Sequence, residues 1–134
     1  MEIVGIDIGF GFTKATNGRE FRIFKSVYGD ATDLQFREHI FNHPSAEEHL
    51  HIELDGSAYF VGELAERQSV ERFYTLDQKQ FINTFTKILA LTALSRMVER
   101  QNPVKLVAGL PISHYRRYND DLTRILTGQH KVST

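Results

Sequence analysis

Cysteine is absent from this chain of 134 residues, which excludes a disulfide framework and any zinc site built on thiolates. Neither sign of charge is in excess: sixteen Lys and Arg stand against seventeen Asp and Glu, a net charge of −1. Such a balance gives no electrostatic basis for nucleic acid or an anionic membrane as a direct partner. No apolar run approaches the roughly 18 residues of a membrane span, and Met1 is not followed by the basic stretch and cleavage site of a secretory leader. These absences lead to the expectation of a cytoplasmic protein. Internal repeats and low-complexity tracts are missing as well. What remains is 41% hydrophobic, enough for one domain with a core of its own.

The most informative stretch is Met1–Lys14, MEIVGIDIGFGFTK. Ile3, Val4, Ile6 and Ile8 form a β-branched run that reads as a strand buried on both faces. Asp7, Gly9, Gly11, Thr13 and Lys14 follow around its end. Glycines just past a strand let the backbone turn tightly and approach a ligand without Cβ clashes. Successive backbone N–H groups in such a turn can form a concave anion site, and Lys14 adds a mobile positive charge suited to phosphates. Asp7 suits the outer-sphere holding of Mg²⁺, an ion that keeps most of its waters. Neither GxxxxGK[ST] nor GxGxxG leading into a helix is present. Taken alone, the same residues also suit a glycine hairpin with a surface lysine.

Asp7-x-Gly9-x-Gly11-x-x-Lys14, set between two strands, resembles the first phosphate motif of the actin-like ATPases. Within that superfamily VGIDIGFGFTK is most similar to the ParM/StbA plasmid-segregation proteins and the archaeal actin-like proteins. A second match lies downstream, where Gly109-Leu110-Pro111-Ile112-Ser113-His114-Tyr115 resembles the GLP-x-x-x-Y signature of ParM-like proteins. Phe24–Ser26 and Tyr59–Ala65 are weaker matches.

The resemblance implies an α/β architecture, the ribonuclease H-like first domain of an actin-like ATPase, across 1–134. Its mixed sheet opens β-β-β and continues α-β-α, with a small subdomain inserted at 26–74. It also implies ATP and Mg²⁺ as cofactors. Gly9, Gly11, Phe12 and Thr13 would present backbone N–H groups to the β- and γ-phosphates, Lys14 would neutralise them, and Asp7 would hold the metal through water. Phe10 stands between the two glycines, where actin has a hydroxyl residue. Implied partners are further copies of the full-length protein, as filaments, and a segregation adaptor, in plasmid segregation or a cytoskeletal role. The water-positioning residue, second phosphate loop and adenosine pocket of such ATPases have no counterpart in these residues. The chain is therefore expected to be the first part of a longer ATPase and to hydrolyse nucleotide negligibly by itself. Two other readings share some features: an actin-like half-domain acting as an assembly module, and the N-terminus of a sugar or acetate kinase. The GLP-x-x-x-Y stretch and the compact insert argue against the kinase.

In chain order, strands are expected at Glu2–Ile8, Phe12–Thr16 and Arg19–Phe24, with an Asn17-Gly18 hairpin between the last two. Leu50–Leu54 and Ser57–Val61 flank a second hairpin signal, Asp55-Gly56, and a short helix is expected from Gly62 to Glu66. His39, His43, His49 and His51 raise a zinc or nickel site against solvated imidazoles, and no acidic residue stands at a telling spacing. Asp77 and Gln80 form a capping box for a long core helix reaching about Arg100, with Asn102-Pro103 as its stop. Val104–Leu110 reads as a buried strand parallel to the first, followed by a helix from His114 to Leu126 with Ser113 as N-cap and Gly128 as stop. Ser113 and His114 are not a nucleophile pair, since adjacent residues on a starting helix do not point together.

Overall fold

The structure, a computed structural model, describes residues 2–31, 50–69, 72–74, 86–98, 103–109, 120 and 122–133. β1 (Glu2–Ile8) runs antiparallel to β2 (Phe12–Thr16), which pairs antiparallel with β3 (Phe21–Lys25). The third strand begins two residues later than expected. Asn17 Oδ1 accepts the N–H groups of Arg19 (2.9 Å) and Glu20 (2.8 Å), holding both in the turn, while Gly18 takes φ 89°. Asn17 Nδ2 also donates to the Met97 carbonyl (3.2 Å), so one side chain fixes the hairpin and the end of a distant helix.

Ser26 alone separates β3 from β4 (Val27–Asp30), and at that residue the chain leaves one sheet for another. β5 (His51–Leu54) and β6 (Ser57–Val61) form the second expected hairpin, turning through Asp55 (φ 52°) and Gly56 (φ 81°). α1 (Glu63–Gln68) and β7 (Arg72–Tyr74) follow. Tyr28 on β4 stacks on Phe73 (ring centroids 4.9 Å apart) and meets Tyr59 edge-on (5.7 Å). α2 (Thr86–Ser95) then leads to β8 (Val104–Gly109), which pairs parallel to β1 as expected. Residues 120 and 122–126 are helical. Close to the C-terminus, β9 (Val132–Ser133) pairs antiparallel with β5, a pairing no local signal announced. The first sheet has the order β3-β2-β1-β8 and the second β7-β4-β6-β5-β9.

α2 packs against β1 and β2 of the first sheet and β4 and β5 of the second. Residues Ile88–Ala93 are buried without interruption, so this stretch of the expected core helix is covered on every side. It ends at Ser95, and Arg96 and Met97 close the terminus with bonds to the carbonyls of Ala93 and Leu94. Val4, Ile6 and Ile8 from the first sheet meet Ile52, Leu54 and Val61 from the second around this helix, in one continuous core.

The expectation that β1 is buried on both faces is corrected. Val4, Ile6 and Ile8 are buried, but Ile3 is 59% exposed and Asp7 is exposed. The neighbouring strands agree, with Phe12, Phe21, Ile23 and Val107 exposed on their own outward positions. α2 covers one face of this sheet, and the other carries the charged residues Asp7, Lys14 and Lys105 in register with one another's strands. β8 is likewise only partly buried. The capping box at Asp77 and Gln80, Leu110, and the first turns of the helix from His114 lie outside the described residues.

Candidate functional site

The open face of the first sheet brings the sequence motifs together. Asp7, next to last in β1, lies opposite Lys14 on β2 and, on its other side, opposite Gly109 at the end of β8. Residues opposed in a ladder point to the same face, so a carboxylate, an ammonium and a bare glycine follow one another in one row. That row continues to Ile23 on β3. Gly109 adjoins the carboxylate directly: a Cβ there would stand in ordinary contact with Asp7 Oδ1, at 3.5 Å. Asp7 and Lys14 are both exposed, and neither has a side-chain hydrogen bond or ion pair among the described residues.

Beside this row the chain reverses through Gly9-Phe10-Gly11-Phe12. Gly9 N–H donates to the Phe12 carbonyl (3.0 Å), closing the turn. A Cβ on Gly9 would lie 3.0 Å from that same oxygen, so any larger residue would press on the carbonyl that closes the turn. Gly9 therefore spends its N–H inside the turn, and its part in the site is to shape it. Gly11 is the reverse case. It is exposed and a Cβ there would meet nothing within 4 Å among the described residues, so its bareness keeps the outside of the turn open. Phe10 and Phe12 are 44% and 48% exposed on either side of it.

Thr13 points inward and is fully buried, its Oγ1 sharing a hydrogen bond with Ser26 Oγ at 2.9 Å. Ser26 N–H donates to the Gly11 carbonyl (2.9 Å), so Ser26 holds the turn from beneath by two bonds. Sequence reasoning noticed Phe24–Ser26 but gave Ser26 no place in the site. The partners are 13 residues apart, and only the β2–β3 pairing makes them neighbours.

Other candidates do not assemble. His39, His43 and His49 lie outside the described residues, as do Leu110–Tyr115. His51 is half-buried on β5, and no group of three metal-ligating side chains occurs among the described residues. Among the described residues no helix is long and apolar enough to cross a membrane.

A family model of the N-terminal domain of actin-like proteins matches residues 5–134. Among solved structures, a ParM filament from Clostridium botulinum is 25% identical with a TM-score of 0.79, the match covering 98% of this chain and 41% of that one. A non-polymerisable quadruple mutant of pCBH ParM is 27% identical, with a TM-score of 0.73 over 98% of this chain and 40% of the other. An archaeal actin homologue shares the fold at 19% identity, with a TM-score of 0.73 over 99% of this chain and 40% of its own. A search of curated proteins gives no match. The chain thus spans about 40% of the length of the structures it resembles.

Proposed function

Because the chain belongs to the family of actin-like protein N-terminal domains, we propose that it is the phosphate-binding part of a ParM-type, ATP-binding and filament-forming protein. The observation that carries this reading is the row Gly109–Asp7–Lys14 beside a turn left bare at Gly11. Polyphosphate needs a cation, donors and close backbone approach: Lys14 offers the first, the bare turn at Gly11 the last, and the N–H groups of that turn would be the donors. Lys14 would neutralise the β- and γ-phosphates. The turn at Gly11 and Phe12 would meet them through its backbone, while Thr13 anchors it below. Asp7, a carboxylate without a side-chain partner among the described residues, fits the water-mediated holding of Mg²⁺. ATP–Mg²⁺, when bound, supplies a phosphoryl group transferable to water, and positioning and charge stabilisation make up most of what a protein adds.

This chain provides one wall of such a site, and the share of its relatives that it spans accords with a second wall built from elsewhere. Filament formation by the complete polypeptide is part of the same proposal, supported by the relative solved as a filament. A cytoplasmic location and a segregation adaptor as further partner accompany it.

The test is calorimetric titration of ATP–Mg²⁺ into the complete polypeptide carrying this chain. Wild type should bind saturably, and Gly11→Ala should bind roughly tenfold more weakly, the scale of one lost close contact. Its unfolding midpoint should be unchanged, because the added methyl meets no atom of the described residues within 4 Å. Absence of binding, or equal affinity of the two proteins, contradicts the reading.

A further inference from the structure

We propose that Ser26 is a positioning residue for the phosphate turn, acting through the Gly11 carbonyl and the Thr13 hydroxyl, and that it ties the state of that turn to the second sheet. The inference rests on the phosphate-site reading above.

Ser26 is the one residue between β3 of the first sheet and β4 of the second. On one side it holds the turn by its N–H to Gly11 O (2.9 Å) and its hydroxyl to Thr13 (2.9 Å). Its two neighbours reach the other way. Val27 O accepts the N–H of Gly62 (2.8 Å), and Lys25 Nζ pairs with Glu66 Oε1 (2.9 Å), at either end of the first turn of α1. Gly62 sits at φ 72°, a backbone conformation that favours glycine, and packs in ordinary contact with Phe24. Three consecutive residues thus grip the turn on one side and α1 on the other.

The hydroxyls themselves carry the argument further. Thr13 is 0% and Ser26 2% exposed, so each hydroxyl is removed from water and depends on the other. Valine and alanine would fill the same space without that dependence. Replacing both partners of a buried hydrogen bond by apolar groups of like shape is close to neutral for stability. What the pair adds over an apolar contact is direction: it fixes the rotation of Thr13, and with it the strand that bears Lys14. A ligand that draws on the turn at Gly11 must then pull on Ser26 and, through Val27, on Gly62.

The experiment compares wild type, Thr13→Val/Ser26→Ala and Thr13→Ser in the complete polypeptide, by thermal unfolding, ATP–Mg²⁺ titration and amide exchange. The double variant should unfold close to the wild-type midpoint yet bind ATP–Mg²⁺ roughly tenfold more weakly. Thr13→Ser, which keeps the hydroxyl, should bind like wild type. In wild type, ligand should slow exchange in peptides covering 24–30 and 60–66, and in the double variant the slowing at 60–66 should vanish. Wild-type affinity and slowing in the double variant would overturn the proposal while leaving the phosphate site standing. No binding by wild type would overturn both. Should the double variant not fold, Thr13→Val against Thr13→Ser decides in the same assay, a tenfold difference supporting the role and equal affinities overturning it.

Discussion

Lys14→Ala in the complete polypeptide is expected to lower kcat/KM for ATP by about 10²–10³-fold, the loss seen when one positioned charge-stabilising group is removed from a developing negative charge. Its unfolding midpoint should stay at the wild-type value. The two halves of this expectation have separate physical sources. Lys14 is exposed and forms no side-chain hydrogen bond or ion pair among the described residues, so folding gains little from its charge. Its cross-strand place beside Asp7, on the face that carries the open turn, gives that charge a use only when an anion is present. Lys14→Arg should recover only part of the activity, since a forked guanidinium does not replace a compact point charge close to the backbone. Steady-state hydrolysis with parallel thermal unfolding checks both halves. Activity within twofold of wild type, or loss of activity together with loss of fold, would count against the role.

The largest effect on stability is expected from α2. Leu89→Ala should cost about 2–5 kcal/mol, the range for a buried leucine whose cavity cannot collapse. Leu89 is fully buried in a helix that touches both sheets, so neither side can close the gap without moving the other. Against a total of about 5–15 kcal/mol for an ordinary domain, this would leave the fold marginal. Urea unfolding followed by circular dichroism measures it. A loss below about 0.5 kcal/mol, the range of an ordinary surface change, would mean that the helix is not the shared core of the two sheets.

Legibility in the sequence followed the range of the interactions involved. β1, β2 and the β5–β6 hairpin were readable because their signals are local: a β-branched run, a glycine turn and Asp55-Gly56. The start of β3 was misplaced because Asn17 captures two N–H groups with its side chain, which no apolar alternation reports. β1 looked buried on both faces because Ile3 carries the same signal as Ile6, whereas burial depends on which face α2 covers. α2 was legible as a core helix, but its cover by a second sheet depends on pairings far apart in the chain, including β5 with β9.

The candidate site divides in the same way. Asp7, Gly11 and Lys14 were legible as a resemblance to a phosphate motif, and the structure places Asp7 and Lys14 opposite each other beside the turn at Gly11. The GLP-x-x-x-Y stretch was legible as a resemblance, yet that its Gly109 stands beside Asp7 depends on the parallel pairing of β1 with β8. Gly9 closes the turn through its N–H at a place where a Cβ would press on Phe12 O, a role visible only in the structure. Ser26 stayed out of the site because a hydroxyl pair across two strands leaves no spacing to read.

The central claim is that the open face beside Gly11 is where nucleotide phosphates bind. The most direct measurement is a crystal structure of the complete polypeptide with a non-hydrolysable ATP analogue and Mg²⁺. The account predicts the terminal phosphates against the Gly9–Phe12 turn, with the Lys14 ammonium in contact with them and the metal's water shell on the Asp7 side. Nucleotide bound elsewhere with this turn bare, or no nucleotide bound at saturating concentration, would contradict it.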